Sequence, residues 1–293
     1  RWCGSLGDRL VDLPLPDGLS ISRESLDTLL VEAARSSGAE VMMPVRAQID
    51  RAGMQSVVAS MQVDGQVKSR EYDVVIIASG LNAGGSQRLL PWREKPNGPF
   101  GISFFANSGS LPEGVINMAC DNDGYVGMVR LEDGRIDIAA ALSTGAGSAQ
   151  AGNATDRVRN ILERSRLPDW KFEDMSEPMT TPPLRRSRLP GRGRVIAIGD
   201  AAGYVEPFTG EGMTWGMMSG IEAADLIADN SGQLAGLGDS WTRRYTGLMR
   251  SRRLACRTVT SALRSPLARR AVAVTLGQWP SLAKPLIRHL NHA

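Results

Sequence analysis

The sequence predicts a mixed α/β chain: a parallel-type strand, a later strand–turn–helix run, strand-like segments between them and a helical tail. Three observations predict it. Residues 73–78, Asp-Val-Val-Ile-Ile-Ala, form a β-branched run that ends in a Gly-rich loop, as a strand buried on both faces of a parallel sheet does. Residues 193–228 run from a second short apolar strand through a Gly-Asp turn and a Pro/Gly loop into a long helix. Between these two stretches lie strand-like segments with a hairpin signal at Asp133-Gly134.

Taken in order, residues 1–20 carry Pro14, Pro16 and Gly18 and read as loop and short strand. Ser22 is a good N-cap for a helix to about Ser37, with Leu26, Leu29, Leu30, Ala33 and Ala34 at helical spacing and Gly38 as its stop. Residues 39–43 read as a strand. Residues 45–72 read as a β-meander with a turn at Asp64-Gly65. Gly124 to Leu142 reads as a hairpin, 145–152 as a small-residue loop, and 154–166 as a helix ended by Pro168. A further helix spans 241–265, with Trp241, Tyr245, Leu248, Cys256, Val259 and Leu263 along one stripe. The rest of the tail is basic, helical and broken by Pro266, Pro280 and Pro285.

Composition excludes several function classes. The 293 residues are 42% hydrophobic and 22% charged, enough apolar material for a substantial core. The only histidines are His289 and His292, so no His-centred triad or His-rich metal site lies in the body of the chain. Cys3, Cys120 and Cys256 are too few and too far apart for a disulfide scaffold or zinc knuckle; they suit a cytoplasmic protein and no metal is expected. No apolar run approaches the ~20 residues of a membrane-spanning helix. The net charge of +3 conceals an asymmetry: residues 240–293 hold eleven Lys or Arg and no acidic residue, leaving 1–239 at −8. Such a tail allows contact with anionic lipid headgroups. No aromatic platform or recognition motif accompanies it, so nucleic acid is not an expected partner.

The segment 193–228 carries the chemistry. Asp200, at the end of a strand, can accept a hydrogen bond from a ribose-like hydroxyl. Gly210 and Gly212, lacking Cβ atoms, let backbone approach a flat ring. A helix starting near Gly212 aims free N–H groups and the positive end of its dipole at an electron-rich atom. Glu206 reads as a solvated loop carboxylate. Met213, Met217 and Met218 read as core or as the lining of an apolar channel.

Gly199-Asp200-Ala-Ala-Gly-Tyr-Val-Glu-Pro207-Phe-Thr-Gly210-Glu211-Gly212-Met213 resembles the second flavin-binding motif of the FAD-dependent group A monooxygenase superfamily, nearest its geranylgeranyl reductase-like and halogenase-like branches. The segment from Arg23 to Val41 is similar to the family's Arg-led helix, and the segment from Tyr72 to Ala83 to its middle strand. The resemblance implies FAD as cofactor, with Arg23, Gly199, Asp200, Pro207, Gly210, Glu211, Gly212 and Met213 as its contacts. It implies an incomplete FAD/NAD(P)-binding Rossmann-like domain built from 1–85 and 186–235, a β-rich substrate domain over 86–185, and a helical region over 236–293.

Two departures qualify it. The family's N-terminal Gly-x-Gly-x-x-Gly unit, which cradles the cofactor's pyrophosphate, is absent, so the sequence reads as a fragment with weakened FAD affinity. Ser79-Gly80 stands where the family's hydroxylases usually carry Asp-Gly, which counts against an NAD(P)H-driven aromatic hydroxylase and leaves open a reductase fed by a separate electron donor. The expected activity is therefore reduction of an apolar unsaturated or polycyclic substrate by hydride transfer from reduced flavin, with no catalytic side chain assigned. The alternatives are an FAD-dependent hydroxylase or halogenase and, outside enzymes, a truncated remnant or a peripheral membrane-binding module. A halogenase needs a lysine between flavin and substrate, and none of Lys68, Lys95, Lys171 or Lys284 sits in a motif.

Overall fold

The computed structural model describes all residues except 7, 83–84, 95–97, 145–152, 169, 207, 209 and 292–293. Its helices are α1 (Arg23–Ser36), α2 (Ala154–Glu163), α3 (Gly212–Asp229), α4 (Leu237–Arg264), α5 (Pro266–Gln278) and α6 (Lys284–Asn291). The expected loop at 145–152 lies outside the described residues. The chain forms two compact units, one from Arg1–Val41, Asn97–Leu184 and Cys256–His292, the other from Met42–Pro96 and Arg185–Ala255. Residues 1–41 thus pack with 97–184, where the sequence groups 1–85 together.

The first unit is built on one large sheet. Its strands run in the order Phe172–Met175, Phe100–Gly109, Ile136–Leu142, Gly124–Arg130, Ile116–Asp121, Trp2–Leu6, Arg9–Leu13, and Met179–Pro183 also pairs with Phe100–Gly109. The period-2 alternation of a strand decides the inner face. Ile102, Phe104 and Ala106, Val126 and Met128, and Ile136, Ile138 and Ala140 all turn inward. α2 covers them with Val158, Ile161 and Leu162, at i, i+3 and i+4, and Asn153 caps its start by accepting the Asp156 N–H. Tyr125 and Met128 are buried within this sheet, so the hairpin serves packing. Its turn falls as expected, with Gly134 at φ 86°.

α1 starts at its expected cap, the Ser22 hydroxyl accepting from the Ser25 N–H. None of its residues is buried, and Leu29 and Leu30 are largely exposed. A carboxylate from the hairpin turn anchors its first turn. Glu132 accepts from the Ser22 N–H at 2.8 Å, the Ser22 hydroxyl at 2.7 Å and the Ser25 hydroxyl at 2.7 Å. These bonds hold its pKa down at about 2, below the ordinary 4.5. A depressed carboxylate stabilises the fold above its unfolded pKa and loses that contribution as pH falls from about 4.5 towards 2. Glu132→Gln should therefore flatten the fall in Tm across that window; an unchanged acid limb would show that the contact contributes nothing.

The second unit contains three small sheets. Arg46–Ala52, Val57–Val63 and Gln66–Tyr72 form the expected meander, turning at Asp64 and Gly65, both at positive φ. Val195–Ala197 lies between Val75–Ile77, parallel to it, and Gly191–Arg192, antiparallel. Arg186–Ser187 pairs with Arg93–Glu94 on one side and Gly203–Tyr204 on the other.

Two expectations are corrected. Residues 39–43 form no strand, because no described strand pairs with their backbone. The run 73–78 yields only the strand Val75–Ile77, and it is not buried on both faces: its one described ladder is to Val195–Ala197, and Ile76 is 43% exposed. Among the described residues no helix is long and apolar enough to cross a membrane.

Candidate functional site

The strand Val195–Ala197 is wholly buried, and the turn that follows it is shaped by glycine. Gly199 has φ 53°, in the left-handed region where a side chain is strained. A Cβ there would also come within 3.2 Å of Gly216 Cα on α3. Gly212, Gly216 and Gly220 recur every fourth residue along α3, and a Cβ on Gly220 would meet Ile198 Cδ1 at 3.8 Å. This small-residue face brings the helix against the turn, at roughly 1 kcal/mol of helix propensity per glycine. The Gly199 N–H donates to the Ser219 hydroxyl at 2.8 Å, and that hydroxyl donates to the Gly216 carbonyl at 3.0 Å. Helix and turn are thereby locked in one register.

Residues 237–255 of α4 secure the other side. The Trp241 indole N–H donates to the Ala197 carbonyl at 2.8 Å, and the Tyr245 hydroxyl donates to the Gly199 carbonyl at 3.2 Å. Arg253 Nη2 donates to the Tyr245 hydroxyl at 3.0 Å and to the Gly203 carbonyl at 3.1 Å. Burial raises the Tyr245 pKa, so its hydroxyl remains a donor at neutral pH. The sequence marks Trp241 and Tyr245 only as members of an apolar stripe. Their polar atoms, which hold the strand end in place, carry no sequence signal.

Asp200 is half-buried in the short 3₁₀ turn Gly199–Ala202. A Cβ on Gly212 would stand 3.9 Å from Asp200 Oδ1, so the carboxylate lies beside the start of α3. Gly210 is exposed at φ 71°, and a Cβ on it would meet nothing within 4 Å. Met213 is 38% exposed. Glu211 precedes α3 but makes no cap bond; its carboxylate instead accepts the Trp215 indole N–H at 2.7 Å. Burial raises the Glu211 pKa, opposed by the Trp215 bond and the Arg252 charge. Glu211 thus gives the start of α3 no side-chain cap bond, and among the described residues nothing lies within 4 Å of a Cβ placed on Gly210.

The other expected residues fall as follows. Pro207 lies outside the described residues. Arg23 belongs to the first unit, where its exposed guanidinium pairs with Asp27 at 2.9 Å. Glu206 is not solvated: its carboxylate is fully buried and paired with Arg185 at 2.7 Å. Trp215 is buried, whereas Met217 is 44% exposed. Cys120 is buried, with its thiol pKa pushed up to about 12 by that burial. No cluster of metal-ligating side chains is present among the described residues.

No family model matches the sequence, and no curated protein matches it significantly. Solved structures do match. The flavin-dependent brominase Bmp2 superposes with a TM-score of 0.78 at 17% identity, over 99% of this chain and 75% of that one. The chain shares the fold of this brominase. A geranylgeranyl bacteriochlorophyll reductase-like protein from Thermoplasma acidophilum gives 0.71 at 17% identity, over 97% and 81%. The p-nitrophenol 4-monooxygenase PnpA from Pseudomonas putida DLL-E4 gives 0.70 at 15% identity, over 91% and 71%. These neighbours include a brominase, a reductase-like protein and a monooxygenase, so the shared fold by itself assigns no activity to this chain.

Proposed function

We propose that the chain is an FAD-dependent oxidoreductase whose second unit receives the ring end of the flavin at the tip of α3. The observation that carries this reading is the start of α3: its N-cap residue Glu211 makes no side-chain cap bond, Asp200 stands beside it, and Gly210 and Gly212 supply no bulk. These residues fit a flat, electron-rich ring. The N–H groups of the first turn and the helix dipole favour negative charge on the ring edge. Asp200 accepts from a hydroxyl of the ribityl chain. Gly199, Pro207, Glu211 and Met213 complete the motif's contacts; Arg23 rests on motif position alone. When bound, the flavin supplies the redox chemistry, carrying electrons from a donor to an organic substrate or to oxygen.

The reductase reading, with an apolar unsaturated or polycyclic substrate and a separate donor, is supported by Ser79-Gly80. The Ser79 hydroxyl is spent on the Asn82 carbonyl at 2.9 Å, and no carboxylate stands at that position. The oxygen-using reading, hydroxylase or halogenase, is supported by the brominase and monooxygenase folds. One experiment addresses both levels. Protein reconstituted with FAD should be yellow, and under argon NADPH alone should leave the flavin oxidised. Colourless protein with no FAD-induced rise in Tm would end the flavin reading. Rapid bleaching by NADPH would end the separate-donor reading.

A further inference from the structure

The run Arg185-Arg186-Ser187-Arg188 carries three guanidinium groups, of which two pair with a carboxylate among the described residues. Arg185 pairs with the buried Glu206 at 2.7 Å. Arg186, in the strand Arg186–Ser187, and Arg188, just after it, both stack on the ring of Trp92, with guanidinium carbons 4.8 and 3.7 Å from its centroid. Arg186 is 8% exposed, pairs with Glu94 and donates to the Leu81 carbonyl at 2.6 Å. Arg188 is 5% exposed and, among the described residues, makes one hydrogen bond, from Nη1 to the Ser86 hydroxyl at 3.0 Å. A hydroxyl offers no counter-charge.

The unused donors are specific. Among the described residues, Arg188 Nε and Nη2 are buried and have no acceptor, and they form the side edge of the guanidinium, which grips an oxyanion through two parallel bonds. Arg186 Nε and the Trp92 indole nitrogen, in the same stack, are likewise buried without a partner. A buried cation without a counter-ion is strongly unfavourable, and buried N–H groups are nearly always satisfied. Stacking on Trp92 offsets only part of that cost. Burial and the Arg186 charge lower the Arg188 pKa to about 10, so it stays charged at neutral pH. The cluster lacks one negative charge and several acceptor lone pairs. A phosphate group supplies both; chloride supplies the charge without the fork geometry.

We propose that Arg188, with Arg186 Nε and Trp92 Nε1, forms a binding site for a phosphate group, either free phosphate or a phosphate of a nucleotide cofactor. Glu94 leaves Arg186 its free Nε, and Ser86 holds the Arg188 fork in place through Nη1. The site stands on these side chains and does not depend on the flavin reading.

Thermal unfolding of the full chain tests it. Inorganic phosphate should raise Tm saturably relative to chloride at equal ionic strength, by roughly 5 °C at a hundredfold excess over Kd. Arg188→Gln should lose the shift yet be at least as stable as wild type in chloride, because it removes an unmatched buried charge. Trp92→Phe, which keeps the ring and deletes one N–H, should weaken phosphate binding several-fold in a phosphorus NMR titration, and it decides the matter if Arg188→Gln does not fold. FAD and riboflavin then separate the sources. A larger shift with FAD than with riboflavin, lost in Arg188→Gln, assigns the site to the cofactor's phosphates; equal shifts alongside a phosphate effect assign it to free phosphate. Colourless protein that still shows the phosphate shift would sink the flavin reading and keep the site. The proposal is overturned if phosphate and chloride act alike on wild type, or if Arg188→Gln responds to phosphate as wild type does.

Discussion

Trp241→Ala is expected to lower the stability of the chain by about 3–5 kcal/mol, the range for deleting a large buried aromatic side chain. Trp241 is fully buried and packs against Tyr245 with ring centroids 5.4 Å apart. Its indole N–H also satisfies the Ala197 carbonyl at the end of the central strand. Truncation therefore opens a cavity and orphans a buried carbonyl together, and the two penalties act at one place. The strand end then loses its support, so the turn Gly199–Ala202 shifts and FAD binding weakens in parallel. Urea unfolding followed by tryptophan fluorescence measures the first effect, and flavin retention on gel filtration the second. A loss below about 1 kcal/mol would mean that α4 is not the brace of this turn.

Gly212→Leu has the opposite profile: a large effect on the cofactor and a small one on the fold. Gly212 is the first residue of α3, its φ is not in the left-handed region, and among the described residues a Cβ there meets only Asp200 Oδ1 at 3.9 Å. The helix accepts leucine readily. The side chain then occupies the space through which a flat ring would approach the helix tip. The expected result is a Tm near wild type and FAD affinity reduced at least tenfold, or about 1.4 kcal/mol. Gly220→Ala, in the same helix, is the control: its Cβ makes an ordinary contact with Ile198, just before the turn Gly199–Ala202, so flavin affinity should be unchanged. Flavin titration of both variants checks this pair. Unaltered FAD affinity in Gly212→Leu would move the ring away from α3 altogether.

How far the sequence was legible differs from element to element, and the differences have a common cause. The Ser22 cap, the turns at Asp64-Gly65 and Asp133-Gly134, and the order of strand, glycine turn and helix over 195–229 all stand where the residues place them. Each depends on atoms within about four residues along the chain, where backbone sterics and local hydrogen bonds decide the outcome. The run 73–78 shows the limit. Its β-branched composition specifies a strand, but how much of it is strand depends on which neighbours pair with it. Glu206 reads as a solvated carboxylate because nothing in its neighbourhood announces Arg185, which reaches it from 21 residues away.

By itself the sequence determined the local vocabulary of this protein: where helices begin, where hairpins turn, and that glycines cluster around Asp200 at the mouth of a helix. Only the tertiary structure decided which polar groups are satisfied. It brought Trp241 to the Ala197 carbonyl, Glu206 to Arg185, and Arg188 onto Trp92 with two of its donors unmatched. The physical reason is that short-range conformational preference is written in each residue and its nearest neighbours. The balance of charge and hydrogen bonding in a buried place depends on partners that meet only after the chain has closed on itself.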